Sequence, residues 1–419
     1  MLMKLVLKSS LIRFMLSMYI VPFASHASEQ IMVDKEEYEQ LKQAVKFLME
    51  ERNKQATAVE EAKQVAEEAT EIAEAAAEVA ENSSHSKFDR LSIGGYAEAH
   101  YNNYDYNDGT DKKEFDLHRF VIFTGYEYND RLRFFSEFEI EHGGVQDTDN
   151  GDGTLGGEVE VEQAYIEYDF TPDASARAGL FILPIGMLNE THEPDTFYGV
   201  ERNSVEKYIV PTTWWEIGSM VSFNFGEGFK LEGAIHSGLN MSDDNGYIRD
   251  GRQKGSNAEA ENLAYTFAGT YTGYQGLEIG VSYHYEDDPT QGNGAGDYID
   301  DASMIEAHLA YNRGIFGLKA LFAEWDFDGN GIKADNGDKQ RGWFIEPSIR
   351  PIPHLGLFAR YEAIEYFKGN ERDLEILSLG ANYYLHDQVA LKFDYVDYKD
   401  KKDITSDFDG FNLGVGLSF

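Results

Sequence analysis

The sequence predicts an all-β transmembrane barrel of 16 antiparallel strands, preceded by an N-terminal α-helical coiled-coil segment. Period-two alternation of apolar and polar residues recurs from Leu91 to the C-terminus, and tight turns alternate with longer polar loops between those segments. The composition, 40 Gly, 26 Tyr and 27 Phe in 419 residues, suits many strands, many turns and aromatic rims. Apolar runs long enough for helical crossings are missing beyond the N-terminus, which excludes a helical membrane bundle but not a barrel. With Lys+Arg 36 against Asp+Glu 75 the net charge is −39, so no nucleic acid partner is expected. Cysteine is absent, which rules out a disulfide scaffold and any Cys-ligated metal site.

Residues 1–27 carry Lys4, Lys8 and Arg13, an apolar stretch from Phe14 to Phe23, and Ser25-His26-Ala27. This reads as a secretory signal cleaved after Ala27; a transmembrane anchor would need a longer apolar core. Residues 28–87 read as a periplasmic coiled-coil helix and linker. The stretch from 29 to about 82 is rich in Ala and Glu and has no Gly or Pro. Tyr38, Leu41, Val45, Leu48, Arg52, Gln55, Val59 and then Ala62 to Ala80 recur at spacings of three and four, a heptad seam. The seam is Ala-rich and buries little per layer, so a single solvated helix is the alternative. Asn82 to Ser86 is a polar linker.

Residues 88–419 form the barrel domain. Strands are expected near 91–104, 115–128, 131–142, 157–170, 174–183, 216–225, 229–238, 262–272, 277–286, 302–312, 315–327, 340–351, 355–367, 374–384, 389–399 and 410–419. Each is about ten residues, the length of a tilted bilayer crossing. Tight turns such as Asn129-Asp130, Gly226-Glu227-Gly228 and Pro353-His354 follow every second strand, the pattern of a barrel with its short side in the periplasm. Tyr126, Tyr128, Phe170, Phe225, Tyr285, Tyr361 and Tyr383 suit aromatic girdles against outer-membrane lipid. A soluble multi-sheet protein would also alternate, but would not explain so many evenly spaced repeats.

The longest connection, about Pro184 to Trp215, is the candidate constriction loop, with Glu190, Glu193, Asp195, Glu201, Glu206, Arg202 and Lys207. Opposing bases are expected at the lumen-facing positions Arg119, Arg133, Arg177, Lys230, Arg350, Arg360 and Lys392; the alternative is that they neutralise strand carboxylates such as Glu137, Glu167, Glu346 and Glu362. Asp326, Asp328 and Asn330 match the first half of a Ca²⁺ loop, but position twelve is Gly337, and turn chemistry accounts for the same residues. A structural Ca²⁺ is the only cofactor considered. No catalytic motif is present, and the protein is not expected to be an enzyme.

The final strand, ending in Phe419, resembles the assembly signal of outer-membrane barrels. The stretch Gly179-Leu180-Phe181-Ile182-Leu183-Pro184-Ile185-Gly186-Met187 resembles the G-x-F-x-x-P-x-G element of the phosphate-selective porin O and P family. Thr196 to Asn203 and Pro211 to Gly218 are similar to segments in its members, and Gly94-Gly95-Tyr96 and Arg119 fit as well. The resemblance implies a homotrimeric, 16-stranded outer-membrane porin of a Gram-negative bacterium, passing ions and small hydrophilic solutes, with anions such as phosphate among them. Residues 88–419, however, carry 60 acidic against 26 basic side chains, a net of −34. That balance favours cations or weak selectivity over phosphate. A non-conducting scaffold or adhesion protein, tethering the membrane to the cell wall through the helix, is the alternative function; contact of the helix with peptidoglycan is the expected link.

Overall fold

The computed structural model describes residues 87–144, 156–242, 246–293 and 298–419, with scattered positions between Lys35 and Thr70. The chain divides into two compact units, Met1–Ser84 and His85–Phe419. In the first, the described positions from Lys35 to Thr70 are α-helical and exposed, Phe47 and Met49 included. The signal segment 1–27, and the heptad seam apart from Arg52, lie outside the described residues. Among the described residues no helix is long and apolar enough to cross a membrane, which does not bear on crossing by strands.

The second unit is a closed antiparallel barrel. Its strands are β1 (Leu91–Tyr106), β2 (Asp111–Asn129), β3 (Leu132–Glu141), β4 (Val159–Thr171), β5 (Ala174–Ile182), β6 (Trp215–Phe225), β7 (Phe229–His236) and β8 (Ala264–Tyr271). They continue as β9 (Leu277–Glu286), β10 (Ala302–Arg313), β11 (Phe316–Phe327), β12 (Lys339–Ile352), β13 (Leu355–Phe367), β14 (Glu371–His386), β15 (Val389–Asp400) and β16 (Phe408–Ser418). Each strand pairs with its neighbours in sequence, and β1 closes on β16 from Tyr96↔Ser418 to Tyr106↔Phe408. Phe419 extends this ladder by exchanging backbone hydrogen bonds of 3.0 and 2.9 Å with Gly95. Closure leaves no open sheet edge, which is what lets a sheet sit in hydrocarbon.

Alternation sorts the side chains into two environments. Phe223, Leu231, Ile235 and Phe267 point outward and stay about half exposed on the isolated chain, whereas Ser222, Glu232 and Thr266 on the same strands are buried inside. A water-soluble sandwich would bury the first set and expose the second. Tyr128, Phe170, Phe225 and Tyr383 ring the short-turn rim, and Tyr265, Tyr283, Trp343 and Tyr395 lie on the outer surface further toward the long-loop rim. Tyr361 departs from the expected girdle: it sits mid-strand, opposite Ile345 and Leu377. Strand length also departs from ten, since β1 has 16 residues and β2 has 19. Their hairpin continues past the length a bilayer crossing needs, so the expected loop there shrinks to residues 107–110.

The interior is not uniformly wet. Trp214, Trp325, Phe327, Ile248, Ile332 and Leu374 belong to a buried apolar cluster inside the barrel toward the long-loop rim. Among the described residues four connections feed it: residues 183–214, Leu239, Met241, Tyr247 and Ile248 between β7 and β8, Ile299 between β9 and β10, and Ile332 of the short helix Asn330–Ala334 between β11 and β12.

Candidate functional site

Residues 183–214, joining β5 to β6, run inside the barrel. Their two stems are tied by Asn189, which is fully buried. Its Nδ2 donates to the Leu183 and Trp214 carbonyls at 2.8 and 3.0 Å, and its Oδ1 accepts from the Trp214 N–H at 2.7 Å. One amide thus meets three backbone groups where the β5–β6 ladder runs out, beside the last ladder bond from the Leu183 N–H to the Trp214 carbonyl at 3.0 Å. Glu206 braces the next turn: one carboxylate oxygen accepts from the Met187 and Leu188 N–H groups at 2.6 Å each, the other from Asn203 Nδ2 at 2.7 Å. Burial pushes this carboxyl above its usual range, and those donors pull it back down. Gly186 has φ +76°, and a Cβ there would lie 2.6 Å from Glu206 Oε1, so only glycine fits.

The middle of the loop is gripped by side chains from the surrounding wall. Asp394 on β15 accepts from the Val200 N–H at 2.5 Å, and Glu362 on β13 from the Ser204 N–H at 2.6 Å. Asn382 on β14 donates to the Phe197 carbonyl at 3.2 Å, and Ser418 on β16 to Asp195 at 2.9 Å. On β1, His100 and Asn102 meet the Glu201 carboxylate at 3.1 and 3.0 Å. His192 reaches Glu137 on β3 at 3.2 Å and Glu162 on β4 at 3.4 Å. Burial alone would lower the His192 imidazole, but the two carboxylates hold it well above the ordinary histidine range. Gly414 and Gly416 of β16 make room: a Cβ would lie 3.0 Å from Val200 at the first and 2.5 Å from Pro194 at the second.

The loop is shared by two cavities. One of about 680 Å³ opens near the short turns and is lined by Asp173, Glu190, Lys230, Glu278, Glu306 and His308 among others. The other, of about 600 Å³, lies toward the long-loop rim, with Glu98, Asp116, Glu201, Arg202, Arg249 and Arg360 in its lining. The expected constriction acids therefore do not gather: Glu190 lines the first cavity and Glu201 the second, while Asp195 is taken up by Ser418. Glu193 is half-buried, and its carbonyl accepts from Thr196. Arg202 donates to Thr213 Oγ1 at 3.0 Å and to the His192 carbonyl at 3.3 Å, so it locks the loop to itself.

The expected basic residues pair along the wall. Arg119 lies 2.9 Å from Glu98 and 3.6 Å from Glu139. Arg133 bridges Glu167 and Asp169, and Arg177 meets the same Glu167 at 3.0 Å, which ties β3, β4 and β5 together. Lys230 lies 2.8 Å from Glu232. Arg350 sits at the short-turn rim, 4.3 Å over the Tyr384 ring. Two of the set touch the loop. Arg360 pairs with Glu346 and Glu362 at 3.2 and 2.9 Å and donates to the Tyr198 and Glu201 carbonyls at 3.4 Å each. Lys392 is buried, with Nζ 3.7 Å from the Phe197 ring centroid and no hydrogen-bond partner among the described residues. Of the Ca²⁺-loop residues, Asp326 pairs with Lys339 at 3.5 Å, Asp328 with Lys333, and Asn330 opens a short helix.

Sequence reasoning did not select Asn189, His192, Asp394, Gly414 or Gly416 as loop contacts. Gly414 and Gly416 carried the one available signal, since two glycines on the inward face of the last strand leave space that something must fill.

Residues 212–416 match a family model described as Gram-negative porin. An uncharacterized protein of Aquifex aeolicus strain VF5 is 30% identical over 349 residues, covering 75% of this chain and 77% of that protein. Among solved structures, an anion-selective porin from Comamonas acidovorans superposes with TM-score 0.56 at 12% identity, over 78% of this chain and 99% of its own. OmpF of Salmonella typhi gives TM-score 0.55 at 14% identity, over 78% and 97%. The outer membrane channel DcaP of Acinetobacter baumannii gives 0.53 at 12%, over 78% and 97%. At these identities the structures establish a shared fold.

Proposed function

From the match of residues 212–416 to the Gram-negative porin family we propose that the chain is a water-filled outer-membrane channel for passive diffusion of ions and small hydrophilic solutes, with residues 183–214 as its constriction. The observation that carries this is the loop held inside the barrel between two aqueous cavities, by hydrogen bonds from β1, β13, β14, β15 and β16. A pore needs a narrow point whose position does not wander, and a loop bonded to several walls supplies one. The family and fold favour a channel over an enzyme.

Selectivity follows from which charges remain uncommitted. Most wall bases are neutralised by carboxylates on their own or adjacent strands. In the cavity near the short turns Glu190, Glu278 and Glu306 face Lys230 and His308, a balance that is acidic whether or not the histidine is protonated. The channel is therefore weakly selective or leans toward cations, and phosphate is not its specific substrate. By analogy with the family it assembles as a homotrimer. The short turns face the periplasm.

Reconstitution in planar bilayers under a KCl gradient tests the reading. Conductance in triplet steps with a reversal potential on the cation side, or near zero, is expected. Strong anion preference with phosphate block would overturn the selectivity, and a folded but silent protein would favour the scaffold reading, for which the apolar cluster filling part of the interior is the specific support.

A further inference from the structure

We propose that Asp116, His118 and His142 form a binding site for a divalent transition-metal ion of the Zn²⁺ type at the long-loop mouth of the barrel. Their ligand atoms all lie within 4.8 Å of one another. Asp116 Oδ2 stands 3.1 Å from His118 Nδ1 and 2.8 Å from His142 Nδ1, so one carboxylate oxygen holds two imidazoles through protons. A cation entering there replaces those protons. Tetrahedral ligands about 2.0–2.1 Å from zinc stand roughly 3.3 Å apart, a spacing that side-chain rotation of the exposed His142 can reach.

Two departures from regular backbone converge on this point. A β-bulge shifts the β1–β2 register between Glu98↔Arg119 and His100↔Asp116, inserting an extra residue in β2. Both His118 and Arg119 consequently line the same cavity despite being adjacent in sequence. His142 sits just past β3 with φ +49°, a conformation most side chains avoid. Without either, the rings would not share a carboxylate.

The chemistry of the donors selects the ion. Two imidazoles and one carboxylate suit zinc, nickel or copper and are poor for Mg²⁺ or Ca²⁺, which want oxygen ligands. All three residues line the 600 Å³ cavity, which gives an ion a route in and leaves room for water as a further ligand. Arg119 is the nearest cation, its guanidinium 3.4 Å from His118 Nε2, but its charge is committed to Glu98 and Glu139. Two other carboxylate–histidine trios occur among the described residues: that of Glu137, Glu162 and His192 is fully buried and already spent in anchoring the loop, and that of His100, Glu201 and the shared His118 is committed through the His100 pairs with Glu201 at 3.1 Å and Glu98 at 3.3 Å. The inference does not depend on conductance or selectivity.

Titration of detergent-solubilised full-length protein with ZnCl₂, and of a parallel sample with CoCl₂ followed by its visible ligand-field bands, tests the site. His142→Asn is the first variant, because Asn tolerates a left-handed backbone; Asp116→Asn is the second. Heat-modifiable migration on gels certifies that each is folded. Saturable Zn²⁺ binding that weakens at least about tenfold in both variants, with loss of the Co²⁺ bands, is expected. Absence of binding in the folded wild type, binding unchanged in the folded variants, or equal affinity for Ca²⁺ would overturn the assignment.

Discussion

The two parts of the inward loop are held by opposite physics. Its stems, with Leu183, Ile185, Val205, Ile209 and Trp214, sink into an apolar cluster with Trp325, Met220 and Ile248; Asn189 and Glu206 tie the stems to the loop's own backbone, and their contacts outward include Trp325 Nε1 to the Ile209 carbonyl at 2.8 Å and Trp214 Nε1 to Glu216 at 2.9 Å. Its middle, from His192 to Ser204, instead meets acids, amides and cations that each address one backbone group or one side chain. Apolar packing is strong but tolerant of direction. Hydrogen bonds are weaker net and angle-dependent. The stems therefore set whether the loop stays inside, and the middle sets where the narrow point lies.

Substitutions that attack the two mechanisms separately should separate stability from conduction. The largest effect is expected for Trp214→Ala, which empties a fully buried site and should cost about 3–5 kcal/mol, read as a lower unfolding midpoint in urea. Stability equal to wild type would show that the cluster does not hold the stems. Arg360→Met removes the cation between Glu346 and Glu362 and leaves two buried acids unpaired, a loss of about 3 kcal/mol. It should also alter single-channel conductance, because the Tyr198 and Glu201 carbonyls lose a donor; a variant that destabilises with conductance unchanged would detach this contact from the narrow point.

Gly416→Ala sharpens the comparison further. The added methyl would lie 2.5 Å from Pro194, so the loop must shift, at about 1–3 kcal/mol. Conductance should change more than the unfolding midpoint does, the reverse of Trp214→Ala. The smallest effect concerns pH. His192 is protonated in the folded barrel well above the ordinary histidine pKa, so its contribution is complete below that ordinary value and is lost as pH rises through the raised folded one. Heat stability should therefore fall from neutral toward alkaline pH by more in wild type than in His192→Gln, and parallel curves for the two would reject the charged anchor.

Much of the frame was legible because it is local. A strand's faces repeat every two residues and its turns carry Gly, Pro, Asn or Asp, so Leu277–Glu286 and Leu355–Phe367 were placed to the residue, and most other ends fell within a few. The length of the β5–β6 connection likewise marked it as the inward candidate. The misses are non-local. Neutralisation of the wall bases by carboxylates such as Glu167 was an open alternative in the sequence, but that Arg133 and Arg177 share Glu167 depends on the register of three strands, and no spacing along one strand encodes it.

The sequence by itself determined an acidic, cysteine-free chain whose alternating strands close into a barrel with apolar residues outside, because hydrophobic periodicity and turn chemistry act over a few residues. Only the tertiary structure decided that the lumen is half clasp and half apolar cluster, that the wall bases are mostly paired with carboxylates, and that a bulge in β2 and a left-handed His142 bring two imidazoles to one carboxylate. Those outcomes join residues distant in sequence, and their energies depend on a partner's burial and angle, which exist only once the barrel has closed.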